Sequence, residues 1–254
     1  MSPRLPDYYA SLAPFREFFD SGLPILTYHK LGPCPPGTRL KGLYVNGALF
    51  ARQLAELRTA GFAAASLNDF GADCNLRSRS IVLTFDDGFC NVLELGLATL
   101  AKNRFRAIQF LVADLLGKSN DWDRASGETP EPLMDAAQVR EWLAAGHQIG
   151  SHTLTHPWLT RLPSAQAREE IAASRKKLED LFGMTVEHFC YPYGDWNEAV
   201  RDLVAEAGYR TACTTEFGVN PPGTPPLSLR RVTARYRSRN WKNFKLWLGG
   251  VFAR

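Results

Sequence analysis

Four short stretches set side chains capable of chemistry next to one another. In Thr84-Phe85-Asp86-Asp87-Gly88 the apolar run Ser80–Phe85 leads straight into two adjacent carboxylates. Neighbouring carboxylates can divide labour, one binding a cation and the other taking a proton. In Ser151-His152-Thr153-Leu154-Thr155-His156-Pro157 two of the chain's five histidines stand four residues apart. On one helical turn, positions i and i+4 point the same way, so both imidazoles reach one ion. With Asp87 the pair makes a site of two histidines and one carboxylate with open coordination positions. Such a site suits catalytic zinc or non-haem iron. In His188-Phe189-Cys190-Tyr191-Pro192-Tyr193-Gly194 an apolar run ends in a rigid turn, which can aim a backbone N–H at a developing oxyanion. In Ile25-Leu26-Thr27-Tyr28-His29 a histidine follows the first apolar run. Each stretch also has an ordinary reading, because Asp-Asp-Gly and Pro-Tyr-Gly make turns and histidines often cap or pack.

The elements around these stretches alternate. Strand candidates are residues 24–28, 62–67, 80–85, 106–112, 148–151, 186–191, 209–214 and 227–232, apolar without strict alternation, as strands buried on both faces read. Helical patterns lie between them at 47–60, 91–103, 135–145, 164–182 and 197–207. Asp135, Ser164 and Asn197 stand as N-caps, and Gly61, Gly146, Gly183 and Gly208 as stops. Repeated strand-then-helix order predicts a parallel sheet with helices outside. About eight strands predict a closed or nearly closed barrel, with an open doubly wound sheet as the second choice. The reactive face of such folds is formed by the carboxyl ends of the strands, where all four stretches lie. The polar stretch Ala113–Met134 is long for a loop inside a domain. It carries Trp122 between two aspartates and reads either as a sugar-facing wall or as a surface insertion.

Composition narrows the class. Hydrophobic residues at 45% and charged residues at 22% exclude disorder and coiled coil as descriptions of the whole chain. The 254 residues read as one domain, with the motifs between about 23 and 232. No apolar run reaches membrane-spanning length, and the N-terminus does not read as a secretory signal. Cys34, Cys74, Cys90, Cys190 and Cys213 are odd in number and lack Cys-x-x-Cys spacing, which predicts buried free thiols in a reducing compartment. The expected location is the cytoplasm or the cytoplasmic face of a membrane. From Arg230 to Arg254 there are eight basic and no acidic residues, although the chain carries only +4. Trp241, Phe244, Leu248, Val251 and Phe252 form an apolar stripe there, read as a helix over about 240–252. That helix either lies on an anionic membrane surface or closes the barrel. No nucleic-acid motif accompanies the basic residues, so nucleic acid is not an expected partner.

Taken together and in this order, the four stretches resemble the polysaccharide deacetylase family (NodB homology, carbohydrate esterase family 4). Tyr28-His29 and Tyr191-Pro192-Tyr193-Gly194 look like its poly-N-acetylglucosamine deacetylase branch. The resemblance implies a distorted (β/α) barrel of about seven parallel strands. It also implies hydrolytic removal of N-acetyl groups from an amino sugar in a polysaccharide or glycoconjugate, and a basic tail lying on a membrane would suit a lipid-linked glycan. By resemblance, Asp87, His152 and His156 hold one divalent metal, usually zinc, with iron, cobalt, nickel or manganese as other choices. Asp86 is then the general base, and the Tyr193 backbone N–H is the oxyanion donor. The chain departs from the family where no histidine follows His188, so the Leu-x-His acid has no counterpart and His29 is the candidate replacement. Cys190 stands where many members carry the arginine that orients the base, and Arg231 is the candidate to supply that charge. Asp195-Trp196 lies too close behind Pro-Tyr-Gly to serve as the family's Asp-Trp motif. Trp122, Tyr191 and Arg231 are the candidate substrate-binding residues. A glycan-binding domain without catalysis is the alternative, and an iron-dependent oxygenase ranks last because Asp86 has no role in it.

Overall fold

Residues 5–70 and 79–235 are described by a computed structural model. Cys74 and the helix expected over 240–252 lie outside the described residues. The chain runs through α1 (Arg16–Asp20), β1 (Ile25–Tyr28), β2 (Lys30–Leu31), β3 (Tyr44–Val45), α2 (Gly47–Thr59) and β4 (Ala63–Ala64). It continues through β5 (Ser80–Phe85), α3 (Cys90–Asn103), β6 (Ile108–Leu111), α4 (Ala136–Ala144), β7 (Gln148–Ser151) and α5 (Ser164–Phe182). Last come β8 (His188–Cys190), α6 (Glu198–Glu206), β9 (Thr211–Phe217) and β10 (Leu229–Thr233).

Seven of these strands close a parallel barrel in the order β1-β5-β6-β7-β8-β9-β10, with β10 pairing back onto β1. The expected (β/α) barrel is therefore present, and the open sheet is not. The eighth candidate strand shrinks to two residues, β4, which pair with Ser80 and Ile81 at the start of β5. Ser66 explains the shortening: it forms a capping box with Asp69 and turns the chain into a 3-10 helix over Leu67–Asp69.

Side chains alternate across a strand, and the buried residues divide accordingly. Ile25, Val82, Ile108, Phe110, Cys190, Cys213 and Leu229 cluster together and fill the barrel. Leu26, Ile81, Leu83, Leu111 and Ile149 belong to the larger cluster that packs against the helices. Gly150 makes room inside the barrel, since a Cβ there would meet the Phe110 ring at 2.6 Å.

Caps explain the helix boundaries. Asp135 accepts from Gln138 N–H at 2.8 Å and Asn197 from Val200 N–H at 2.9 Å, as expected. Ser164 does not cap α5: the boundary falls at Pro163 in extended geometry, and Ser164 is already helical. Gly183, at φ 65°, closes the same helix. Cys90, Cys190 and Cys213 are free and buried as expected, whereas Cys34 is free but only half-buried. Among the described residues no helix is long and apolar enough to cross a membrane.

Candidate active site

The carboxyl ends of β1, β5, β7, β8 and β10 meet at one mouth of the barrel. Behind β5, Asp86 and Asp87 are buried at 3% and 5% exposure. Asp86 N–H donates to Tyr28 O at 3.0 Å, which ties the pair to β1. Asp87 then turns left-handed, at φ 75°, followed by Gly88 at φ 88°. This turn sends the two carboxylates to different partners.

Asp87 faces the histidine pair. Its Oδ1 lies 3.4 Å from His152 Nε2 and 3.3 Å from His156 Nε2. The three ligand atoms all fall within 4.8 Å of one another. Burial pushes the Asp87 carboxyl up, but the two imidazoles beside it outweigh burial and hold it well below the usual range. The expected helical turn is absent here. Residues 152–158 form a loop in which Thr153 and His156 have φ 70° and 67°. Thr153 Oγ1 accepts from His156 N–H at 3.0 Å, and Glu170 of α5 accepts from the N–H groups of Leu154 and Thr155, both at 2.9 Å. These side-chain bonds replace a helical ladder, so the histidines converge through a tight turn and not through i,i+4 geometry.

Asp86 faces the last strand. Arg231 donates through Nη1 to Oδ1 and through Nη2 to Oδ2, each at 2.8 Å. A register irregularity lies between β10 and β9 at this point, and Thr214 O accepts Arg231 Nε–H at 2.7 Å. Burial raises the Asp86 carboxyl, yet the Arg231 charge and its hydrogen bonds hold it below its ordinary value. The guanidinium is thereby committed to Asp86, with its side chain 1% exposed. This corrects Arg231 as a substrate-binding residue, because it has no free surface to offer. It stands instead against Asp86, as the replacement for the missing arginine would. Cys190 lies between the two, 3.2 Å from Arg231 Nη2 and 3.7 Å from Asp86 Oδ2. Burial pushes its thiol up to about 11, and its Sγ also lies within 4.8 Å of ligand atoms of Asp86 and His152.

His29 places Nε2 3.7 Å from Asp86 Oδ2. Burial lowers its pKa, partly offset by the charges of Asp86 and Asp87, so its resting form is neutral. Tyr193 sits in a 3-10 turn over Pro192–Gly194 at φ 60°. Its ring stacks on Trp158 at 4.1 Å and meets His156 edge-on at 4.5 Å. Trp122, in a 3-10 turn over Asp121–Ser126, stacks on His156 at 4.4 Å. Tyr191 does not line the site. Its side chain is fully buried and its hydroxyl donates to Leu227 O at 2.9 Å, so no surface remains for a sugar. Asp195 is used structurally, accepting from Thr160 N–H at 2.8 Å. Sequence reasoning did not single out Glu170 or Trp158, and nothing local distinguishes them from the other acids of α5 and the other tryptophans.

Comparison with known proteins agrees with this arrangement. The chain matches the polysaccharide deacetylase family over residues 74–212, more than half its length. It is 25% identical to YxkH of Bacillus subtilis over 214 residues, 83% of this chain and 70% of that one. It is 29% identical over 135 residues to a chitooligosaccharide deacetylase of Bradyrhizobium, 52% of this chain and 53% of the relative. A polysaccharide deacetylase structure from Bacillus cereus superposes with a TM-score of 0.73 at 25% identity, covering 87% of this chain and 67% of that one. IcaB from Ammonifex degensii shares the fold, with a TM-score of 0.73 at 23% identity over 89% of this chain and 97% of IcaB. The barrel, the motifs at its mouth and the match over residues 74–212 agree: the chain belongs to the polysaccharide deacetylase family.

Proposed function

We propose that this enzyme hydrolyses the N-acetyl amide of an N-acetylamino sugar within a glycan, with a divalent metal held by Asp87, His152 and His156. The observation that carries the reading is the convergence of those three ligand atoms beside an Asp86 held ionised by Arg231. The donor set fits zinc: a carboxylate and two imidazole Nε2 atoms leave a fourth position open. His152 Nδ1 sits 2.7 Å from Cys190 O, which assigns a proton to that side and leaves Nε2 as the atom that would meet a metal. When bound, such a metal polarises the acetyl carbonyl and acidifies water.

The chain's own residues supply the rest. Asp86 accepts the proton of the attacking water, and Arg231 keeps its carboxylate charged and fixed for that task. The Tyr193 backbone N–H is the donor to the developing oxyanion. His29, 3.7 Å from Asp86, is the candidate to relay to the departing amine the proton that Asp86 has taken from the water. The substrate class follows the relatives named for chitooligosaccharide and peptidoglycan N-acetylglucosamine. The test is acetate release from N-acetylated chitooligosaccharides by the wild type and Asp86→Asn. Release by the wild type and none by the variant is expected. Equal release by both would remove Asp86 from its role.

A further inference from the structure

The two histidines that face Asp87 are held by different means. His152 is fixed by the Cys190 carbonyl. His156 is 5% exposed, and its Nδ1 is buried with no hydrogen-bonding partner among the described residues. Its ring is held by other rings. Trp122 stacks on it with centroids 4.4 Å apart and planes 19° apart. Tyr193 abuts it at 72° and is itself stacked on Trp158, over which the Arg161 guanidinium lies at 4.4 Å.

Trp122 is anchored as well. Its insertion is clamped through Glu131, which takes Lys30 Nζ at 3.0 Å, Asn91 Nδ2 at 3.1 Å and the Tyr44 hydroxyl. Glu128 Oε1 accepts the backbone N–H groups of Arg39 and Leu40, both at 2.7 Å. Asn120 ties the turn together, accepting from Glu131 N–H at 2.6 Å and donating to Asp123 at 2.7 Å. Lys30 is 1% exposed, so this clamp is built into the fold and is not a surface contact.

We propose that Trp122 is a positioning residue for His156: its indole face sets the imidazole plane, as the Cys190 carbonyl does for His152. The insertion then works as a fixed buttress to one metal ligand. A ligand imidazole is ordinarily oriented by a hydrogen bond from its second nitrogen, and here face-to-face stacking takes that place. The inference rests on reading Asp87, His152 and His156 as the metal site.

The experiment measures zinc affinity by competition with a chromophoric chelator for the wild type, Trp122→Ala, Trp122→Leu and Trp122→Phe. KM and kcat for an N-acetylated chitooligosaccharide are measured at saturating zinc. Removing the ring is expected to weaken zinc binding about 10–100-fold, the range for losing a ligand's orienting partner. Phe, which still offers an aromatic face, recovers most of that loss. Leu keeps apolar bulk without a ring, so it separates stacking from simple filling if the Ala variant folds poorly. Equal zinc affinity across Leu, Phe and wild type overturns the inference, and a raised KM alone assigns Trp122 to the sugar. A wild type that takes up no zinc overturns the metal reading as well. Normal wild-type uptake with unchanged variants overturns only the role of Trp122.

Discussion

The five histidines divide between the two ends of the barrel, and the division is one of partners: neutral groups at one end, carboxylates at the other. His147 precedes β7 and His188 opens β8, both at the amino end. His147 Nδ1 accepts from Ala107 N–H at 3.2 Å while its ring stacks on Trp142, and His188 Nδ1 meets Thr211 Oγ1 at 2.9 Å. Burial lowers the pKa of each to about 4, so both are neutral structural groups. At the carboxyl end, His29, His152 and His156 face Asp86 and Asp87. The side chain is the same and both sets are largely buried; the partners differ. The backbone follows the same division. Of six described non-glycine residues with positive φ, four (Asp87, Thr153, His156 and Tyr193) stand at the carboxyl end. Such conformations persist where surrounding structure enforces them, and they gather at active sites. Stacking and hydrogen bonds from Trp122, Trp158, Glu170 and Thr153 supply that enforcement here.

Breaking the carboxyl end is expected to give the largest effects. Asp86→Asn keeps size and burial but cannot accept a proton. Its kcat is expected to fall about 10²- to 10⁴-fold with zinc content unchanged, measured by acetate release and elemental analysis of one sample. Arg231→Met comes next. It leaves the Asp86 charge buried and unpaired, expected to cost about 3–5 kcal/mol of stability, read by chemical denaturation. Arg231→Lys keeps the charge and loses the two-pronged grip. With less support for the ionised form, the Asp86 pKa rises, so the acid limb of kcat/KM moves to higher pH. An unshifted limb would separate Arg231 from the base.

The amino end is expected to respond more weakly and only to pH. The folded-state values near 4 for His147 and His188 lie below the ordinary 6.5. The unfolded chain therefore binds more protons between those values. Stability is full above about pH 6.5 and falls as pH drops toward 4. His188→Gln retains a partner for Thr211 without titrating, so its Tm is expected to fall less steeply across that window while activity at neutral pH persists. An unchanged slope would show that His188 does not couple folding to protons.

Much of this was legible in the sequence because parallel barrels mark their own mouth. Apolar runs end where the chemistry begins, as Ser80–Phe85 ends at Asp86 and Gln148–Ser151 ends at His152. Arg231, named from the sequence as the candidate to supply charge to Asp86, reaches it from 145 residues away. What escaped was the geometry of individual side chains. The histidine spacing suggested a helix, but Thr153 and Glu170 stabilise a turn with the same consequence. Tyr191 looked like a site residue because its neighbours are, yet the backbone at that point directs its ring to Phe189 and Trp196. Trp122 reads in the sequence either as a sugar-facing wall or as part of a surface insertion, and its stacking on His156 is visible only in three dimensions.

The most direct test of the central claim is the metal content of the purified protein, wild type beside His152→Ala, after incubation with zinc and removal of the excess. The account predicts about one zinc per chain in the wild type, as for a three-ligand catalytic site, and its loss in the variant. No zinc in the wild type, or equal zinc in both, would contradict it.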